Sequence, residues 1–179
     1  MGFGGARSVI ALVCAAALVA AAAPAALSSA RAGSSSLVSL DAGVLRGLNA
    51  IRAGHGLVPL RESRALEAAA AQHSREMAAD GYFAHDSFDG SSFSSRIAHW
   101  YGSTGYSLWT VGENLLWSSP SVDPTEALRM WMSSPGHRRN ILDARWREIG
   151  VSAVHAPAAA GTFRDLPVTI ITTDFGFRR

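Results

Sequence analysis

Residues 148–177, EIGVSAVHAPAAAGTFRDLPVTIITTDFGF, decide the fold class. EIGVSAVH (148–155) and PVTIITTDFGF (167–177) are rich in the β-branched and aromatic residues that favour strands. The Ala, Gly and Pro residues between them predict a loop. Helical patterns come earlier in the chain, so the order of elements predicts an α+β fold whose two final strands pair antiparallel through that loop.

Four stretches before these strands carry apolar residues at helical spacing. The predicted helices are DAGVLRGLNAIRAGHG starting at Asp41, ESRALEAAAAQHSREMAADG with Ser63 as N-cap, SSRIAHWYG (94–102) and DPTEALRMWM (123–132). Asp123 followed by Pro124 is typical of a helix start. Leu128, Trp131 and Met132 would form the buried face of that last helix. The segment YSLWTVGENLLW (106–117) has no clear period, and the sequence does not assign its structure.

The first 32 residues are predicted to be a secretory signal peptide. They combine Arg7, an apolar stretch of Ala, Val and Leu, and the sequence Ala30-Arg31-Ala32, which fits an A-x-A cleavage site. A retained membrane anchor is the alternative, and Pro24 and the serines after it weaken a full bilayer span. The sequence thus predicts a leader (1–32), a flexible lead-in (33–40) and one domain (41–179), secreted to the periplasm or the medium.

Composition excludes several classes of function once the leader is removed. The chain has 16 basic and 14 acidic residues, and the loss of Arg7 and Arg31 leaves 14 of each. A neutral domain without a basic stripe is not expected to bind nucleic acid. Cys14 is the only cysteine and lies in the leader, so disulfides, thiolate metal sites and a cysteine nucleophile are not expected.

Three residues stand out as candidates for chemistry, although the sequence contains no G-x-S-x-G, H-E-x-x-H, Walker or G-x-G-x-x-G motif. His85 and His137 each follow a predicted helix, in loops of the kind where binding groups concentrate. Glu113 lies among apolar neighbours, and a buried carboxylate needs a partner, either an arginine, a backbone amide or a histidine. His73 falls on an apolar helix face and is predicted to be a hydrogen-bonded core residue.

Six stretches in order resemble the CAP superfamily, named for cysteine-rich secretory proteins, antigen 5 and pathogenesis-related 1 proteins. They are LNAIRAGHGLVPL, AAAAQHSREMAADGYFAHDSFDG, GENLLW, WMSSPGHRRNIL, REIGVSAV and TTDFG, and together they span most of the chain from about residue 48 to residue 177. The resemblance is to the bacterial, disulfide-free SCP-like branch. It implies a three-layer α-β-α sandwich with a central, mainly antiparallel sheet.

The resemblance also implies a shallow cleft lined by two histidines and acidic residues. By position, His85 and His137 match the cleft histidines, and Glu113 matches the first cleft glutamate. Many relatives carry a second glutamate where this chain has Ser134, and this departure weakens any mechanism that needs two carboxylates. Some members of the family bind zinc or another divalent metal at the histidines, which makes His85 and His137 the candidate metal ligands.

Two functions remain open from the sequence. The first is a secreted, monomeric, non-catalytic module that binds a small ligand, a lipid or a component of the cell envelope. The second is a metal-dependent, protease-like hydrolase in which His85 and His137 bind zinc. Glu113 would act there either as a third ligand or as the catalytic base. With Glu113 as a ligand, Asp86 or a metal-bound hydroxide would have to act as the base, and with Glu113 as the base only two protein ligands remain. We favour the first function, because an incomplete set of ligands and base makes efficient metal-dependent hydrolysis harder.

Overall fold

The computed structural model describes the backbone of residues 24–179 and the side chains from residue 36 onward. Within this range the chain forms five helices and a four-stranded sheet. The elements are α1 (Pro24–Gly54), β1 (Arg61–Glu62), α2 (Arg64–Asp80), α3 (Phe93–Trp100), β2 (Trp109–Ser118), α4 (Pro124–Ser133), α5 (Pro135–Ile141), β3 (Glu148–Ala159), a 3₁₀ turn (Gly161–Phe163) and β4 (Leu166–Arg178).

The sheet has the strand order β1-β3-β4-β2. β3 and β4 pair antiparallel, as the sequence predicts, and β4 also pairs antiparallel with β2. β2 is the segment that the sequence left unassigned. The short strand β1 runs parallel to β3, so the sheet is mixed but mainly antiparallel.

Helices cover both faces of the sheet, which confirms the predicted sandwich. Alternate residues of a strand point to opposite faces. On β3, Ile149, Val151 and Ala153 pack in one core cluster with Val44 and Leu48 of α1 and Trp131 of α4. Gly150 and Ser152, between them, meet α2 on the other face. α3 lies beside α2, where Ile97 packs against Leu66.

Gly150 marks a close approach of α2 to the sheet. A Cβ added at this position would overlap the backbone of Leu66 and Glu67. Only a residue without a side chain allows the helix to lie this close to the strand. The glycine therefore sets the distance between this layer and the sheet.

The helix ends follow local capping chemistry. Asp123 caps α4 as predicted, since its side chain accepts a hydrogen bond from the backbone N–H of Glu126 at 3.0 Å. Gly81 ends α2 in the left-handed conformation. Ser63 occupies the N-cap position of α2, but its side chain makes no capping hydrogen bond.

The start of the first helix differs from the expectation. The sequence predicts a lead-in over residues 33–40 and a helix start at Asp41, whereas α1 already runs through these residues. Leu40 is buried in the core cluster, and Leu37 packs against it. The Asp41 carboxylate does not cap the helix, because it accepts a hydrogen bond from the backbone N–H of Ala153 at 2.7 Å and so joins α1 to β3.

The predicted leader lies largely outside the described residues, which begin at residue 24. Its cleavage site and the domain bounds therefore stay predictions. Within the described part of the chain, no helix combines the length and the apolar character needed to cross a bilayer.

Candidate functional site

The candidate site lies at β2, an edge strand of the sheet. β2 has β4 on one side only, so side chains from both helical layers can meet beside it. The loop before α3 brings His85 to Glu113 from one layer, and α5 approaches β2 from the other. A cavity of about 470 Å³, here named the cleft, opens between them. Its lining residues are His85, Glu113, Asn114, Gly136, Arg139, Asn140 and Asp143.

Glu113 is the centre of this site. Its side chain is 1% exposed, and each carboxylate oxygen has a nitrogen partner. Oε1 accepts a hydrogen bond from His85 Nδ1 at 2.7 Å, and Oε2 accepts one from Nη2 of Arg96. The sequence left open whether a histidine or an arginine would pair with this carboxylate, and the structure supplies both.

Arg96 is a residue of the site that sequence reasoning missed. Its side chain is 2% exposed and lies on α3. Besides pairing with Glu113, its Nη1 donates to the backbone oxygen of His85 and to Ser87 Oγ, both at 3.0 Å. The guanidinium thereby fixes the loop that carries His85. The only signal in the sequence was that a buried Glu113 needs a cationic partner. This signal does not identify which arginine supplies it.

His85 is about half exposed at the mouth of the cleft. The hydrogen bond to Glu113 raises its pKa above the ordinary value, and partial burial opposes that rise. Its Nε2 makes no hydrogen bond to any residue of the described range. The cationic form is therefore favoured and can offer a donor to a ligand.

His137 occupies the third position of α5, directly after Gly136, which lines the cleft. Burial lowers its pKa, and the nearby charge of His85 lowers it further. The lowered pKa favours the neutral form of this imidazole.

Two asparagines join α5 to the strand. Asn114 Nδ2 donates to the backbone oxygen of His137 at 3.2 Å. Asn140 Nδ2 donates to the backbone oxygen of Glu113 at 3.0 Å and to Asn114 Oδ1 at 3.1 Å. These bonds hold the two sides of the cleft in register. Ser134 lies at the junction of α4 and α5 and is not among the residues that line the cleft.

Two further ionisable side chains lie near Glu113 in the protein interior. Asp174 on β4 is directly opposite it in the strand register and is fully buried. Burial raises the pKa of Asp174 well above its ordinary value, and the Glu113 charge raises it further. His73 is a buried, hydrogen-bonded core residue as predicted, with Nε2 at 2.9 Å from the backbone oxygen of Ala84. The same Nε2 lies 4.0 Å from Glu113 Oε2, so His73 also borders the site.

The side chains present do not form a typical catalytic zinc set. Such sites hold the metal with three protein ligands around one point. Among residues 36–179, no group of three or more His, Cys, Asp or Glu side chains is arranged to hold a metal ion. Glu113 is already shared between His85 and Arg96.

The sandwich and the His85–Glu113 pair at its outer strand define the class of the domain. A family model described as CAP: Cysteine-rich secretory protein family matches residues 45–169. The chain belongs to this family.

Relatives of the chain are bacterial. The chain is 35% identical over 123 residues to "Uncharacterized protein YkwD" of Bacillus subtilis. This alignment covers 68% of this chain and 45% of that protein. The chain is 30% identical over 103 residues to "Uncharacterized membrane protein YlbC" of the same organism, covering 58% of this chain and 28% of that protein. The chain thus spans less than half the length of these relatives.

A solved structure shows the same fold. An extracellular protein containing a SCP domain from Bacillus anthracis superposes with a TM-score of 0.60 and 27% sequence identity. The match covers 78% of this chain and 40% of that one.

Proposed function

We propose that the protein is a secreted, non-catalytic binding module whose cleft holds a small ligand, a lipid headgroup or a component of the cell surface. The observation that carries the proposal is the state of Glu113. Its two oxygens are held by His85 and Arg96 inside the protein, and its side chain is 1% exposed. A carboxylate engaged in this way orients a binding surface and is not free to activate water.

The cleft presents donors to a ligand. His85 has a raised pKa and a Nε2 directed to no described partner, and Arg139 is an exposed cation in the cleft wall. Arginine recognises carboxylates and phosphates through paired N–H groups. This charge pattern favours a ligand that carries an anionic or strongly accepting oxygen group.

The test compares two neighbouring arginines. Arg139 lines both the cleft and a neighbouring groove, whereas Arg138 is also exposed but lines only that groove. Inorganic phosphate, acetate and a short-chain phosphatidylglycerol serve as probes. Their binding to the purified protein is measured by NMR. We expect Arg139→Ala to weaken binding about tenfold, the loss of roughly one charged hydrogen bond. Arg138→Ala should bind like the parent, and equal losses in both variants would contradict a cleft-specific site.

Export supports the same proposal. The predicted leader precedes the domain, and the Bacillus anthracis neighbour is described as extracellular. N-terminal sequencing of protein recovered from outside the cell should begin after Ala32. Recovery of the chain only with the leader attached to the membrane would favour the anchor instead.

The hydrolase is the second candidate, and one observation favours it. His137 has a lowered pKa beside His85, and a neutral imidazole is a metal ligand. Zinc titrated calorimetrically into the parent and into His137→Ala tests this. Tight binding that disappears in the variant would favour a metal-dependent function, and no binding heat in either protein would exclude one.

A further inference from the structure

A second and larger cavity borders Arg96. It has a volume of about 700 Å³ and is formed by α2, α3 and the loop that joins them. We name it the α2–α3 cavity. The lining residues that matter here are Gln72, Glu76, Asp80, Phe88, Arg96 and Trp100. Arg96 is part of this wall and pairs with Glu113, which lines the cleft, so this ion pair lies between the two cavities.

The wall of the cavity is built by side chains that hold one another. Trp100 Nε1 donates to Gln72 Oε1 at 2.6 Å, and Gln72 Nε2 donates to Glu76 Oε1 at 2.7 Å. This chain of hydrogen bonds runs from α3 to α2 and fixes the indole and the carboxylate. A site whose groups are fixed in advance loses less conformational entropy when a ligand binds.

Two buried polar atoms of this wall lack a hydrogen-bond partner among the described residues. One is the donor Arg96 Nε, in a side chain that is 2% exposed. The other is the acceptor Glu76 Oε2, whose nearest basic group, His73 Nδ1, is 3.9 Å away and beyond hydrogen-bond range. Both atoms are closed to solvent in this structure, so an occupant reaches them only when the side chains turn toward the cavity. Because unsatisfied buried groups are costly, an occupant that accepts from one and donates to the other would favour that turn. Hydroxyl groups do both.

The rim adds aromatic surface. Phe88 is 69% exposed and Trp100 is 44% exposed, which is unusual for side chains of this size. Rings of this kind pack against the apolar faces of flat ligands. The carboxylates of Glu76, Asp80 and Asp89 line the same cavity, while the Arg96 charge is matched by Glu113. Their charge disfavours an anionic occupant.

We propose that the α2–α3 cavity binds a carbohydrate, in the form of an uncharged short oligosaccharide. Sugar rings supply hydroxyls for Arg96 Nε and the carboxylates, and C–H faces for Trp100 and Phe88. The volume accommodates a ligand of this class, because small-molecule pockets measure about 300–1,000 Å³. This site is separate from the cleft and does not depend on the ligand proposed there.

The experiment titrates maltotriose, cellotriose and tri-N-acetylchitotriose into the purified protein and follows the indole N–H signals by NMR. Trp100→Phe identifies the Trp100 signal by its loss. We expect at least one sugar to shift this signal saturably. Trp100→Ala should weaken that binding by up to about tenfold, the usual contribution of an aromatic contact. Glu76→Gln, which keeps the size of the side chain, should also weaken it.

Tyr106→Ala is the matched control. The exposed fraction of Tyr106, 43%, is close to that of Trp100, 44%, and Tyr106 does not line this cavity. Its variant should bind the sugar like the parent. Absence of saturable binding for all three sugars at millimolar concentration would overturn the proposal. So would equal affinity in the parent and Glu76→Gln, or binding of spermidine in place of the sugars, which would identify a cation site.

Discussion

Glu113 is held between a histidine that can titrate and an arginine that cannot. The Arg96 contact is a buried ion pair, and the His85 contact reaches the solvent. Removing one member of a buried pair leaves the other charge without compensation, which costs about 3–5 kcal/mol. The same carboxylate therefore contributes to folding and sets the charge of the cleft.

The first prediction concerns the Glu113→Gln variant. The hydrogen bond from His85 to Glu113 is the largest cause of the raised His85 pKa. In the variant this pKa should fall, because partial burial and the Arg96 charge remain and both lower it. A pH titration of the His85 ring signals by NMR measures the change. Glu126→Gln, which removes a surface partner of Arg129, is the control and should leave the His85 titration unchanged.

The sequence predicted part of this site. His85, Glu113 and His137 were found because they follow helices or interrupt apolar stretches. Arg96 and Asp174 were missed because their roles depend on a register between distant segments, and only the pairing of β2 with β4 brings Asp174 opposite Glu113. Ser134 was placed in the site by resemblance alone, and the structure has it at the junction of α4 and α5.

Among the elements, β2 shows why a central segment escaped prediction. Residues 112–116 are buried in succession, so the alternation that identifies a half-buried strand is lost. β3 and β4 were recognised because they are long and rich in β-branched residues. Four of the five helices in the described range were recognised by their period, whereas α5 is not among the predicted helices. The start of α1 was predicted too late in the chain, because Leu37 and Leu40 precede the expected cap.

The second prediction concerns the contact between α2 and β3. Gly150→Ala forces a methyl group into the backbone of Leu66 and Glu67, which cannot move independently of the helix. Overpacking of this kind costs about 1–3 kcal/mol. Gly54→Ala is the matched control, because nothing lies within 4 Å of the added Cβ there. Urea unfolding of both variants measures the difference, and equal stability would show that α2 can shift away.

The third prediction concerns α4. Trp131 is fully buried, and its Nε1 donates to the backbone oxygen of Leu115 at 2.9 Å. Trp131→Ala should lower the free energy of unfolding by about 3–5 kcal/mol, as large aromatic truncations do. A loss under about 1 kcal/mol, typical of a surface change, would contradict the packing of α4.

At the scale of the whole molecule, the Asp41 carboxylate makes stability depend on pH. Burial raises its pKa from 3.8 to about 7. In the folded protein this group keeps its proton up to about pH 7, whereas in the unfolded chain it loses the proton near pH 4. Its contribution to the free energy of unfolding is therefore complete below pH 4, falls as the pH rises to about 7 and then stays level.

The fourth prediction follows for Asp41→Asn. The amide oxygen can still accept the Ala153 N–H but does not titrate, so the variant should be more stable than the parent at pH 8. The advantage should shrink steadily as the pH is lowered to 4. Thermal unfolding of both proteins over this range measures it, and a difference that does not vary with pH would contradict a buried, protonated Asp41.

The position of β4 has a consequence for the order of events during synthesis. It is the last strand along the described chain, yet it lies between β3 and β2 and pairs with both. Neither of those strands can complete its hydrogen bonding until residues up to about 178 have left the ribosome. Contacts between such distant segments form slowly. The four-stranded sheet can therefore close only after the last of these strands has been synthesised.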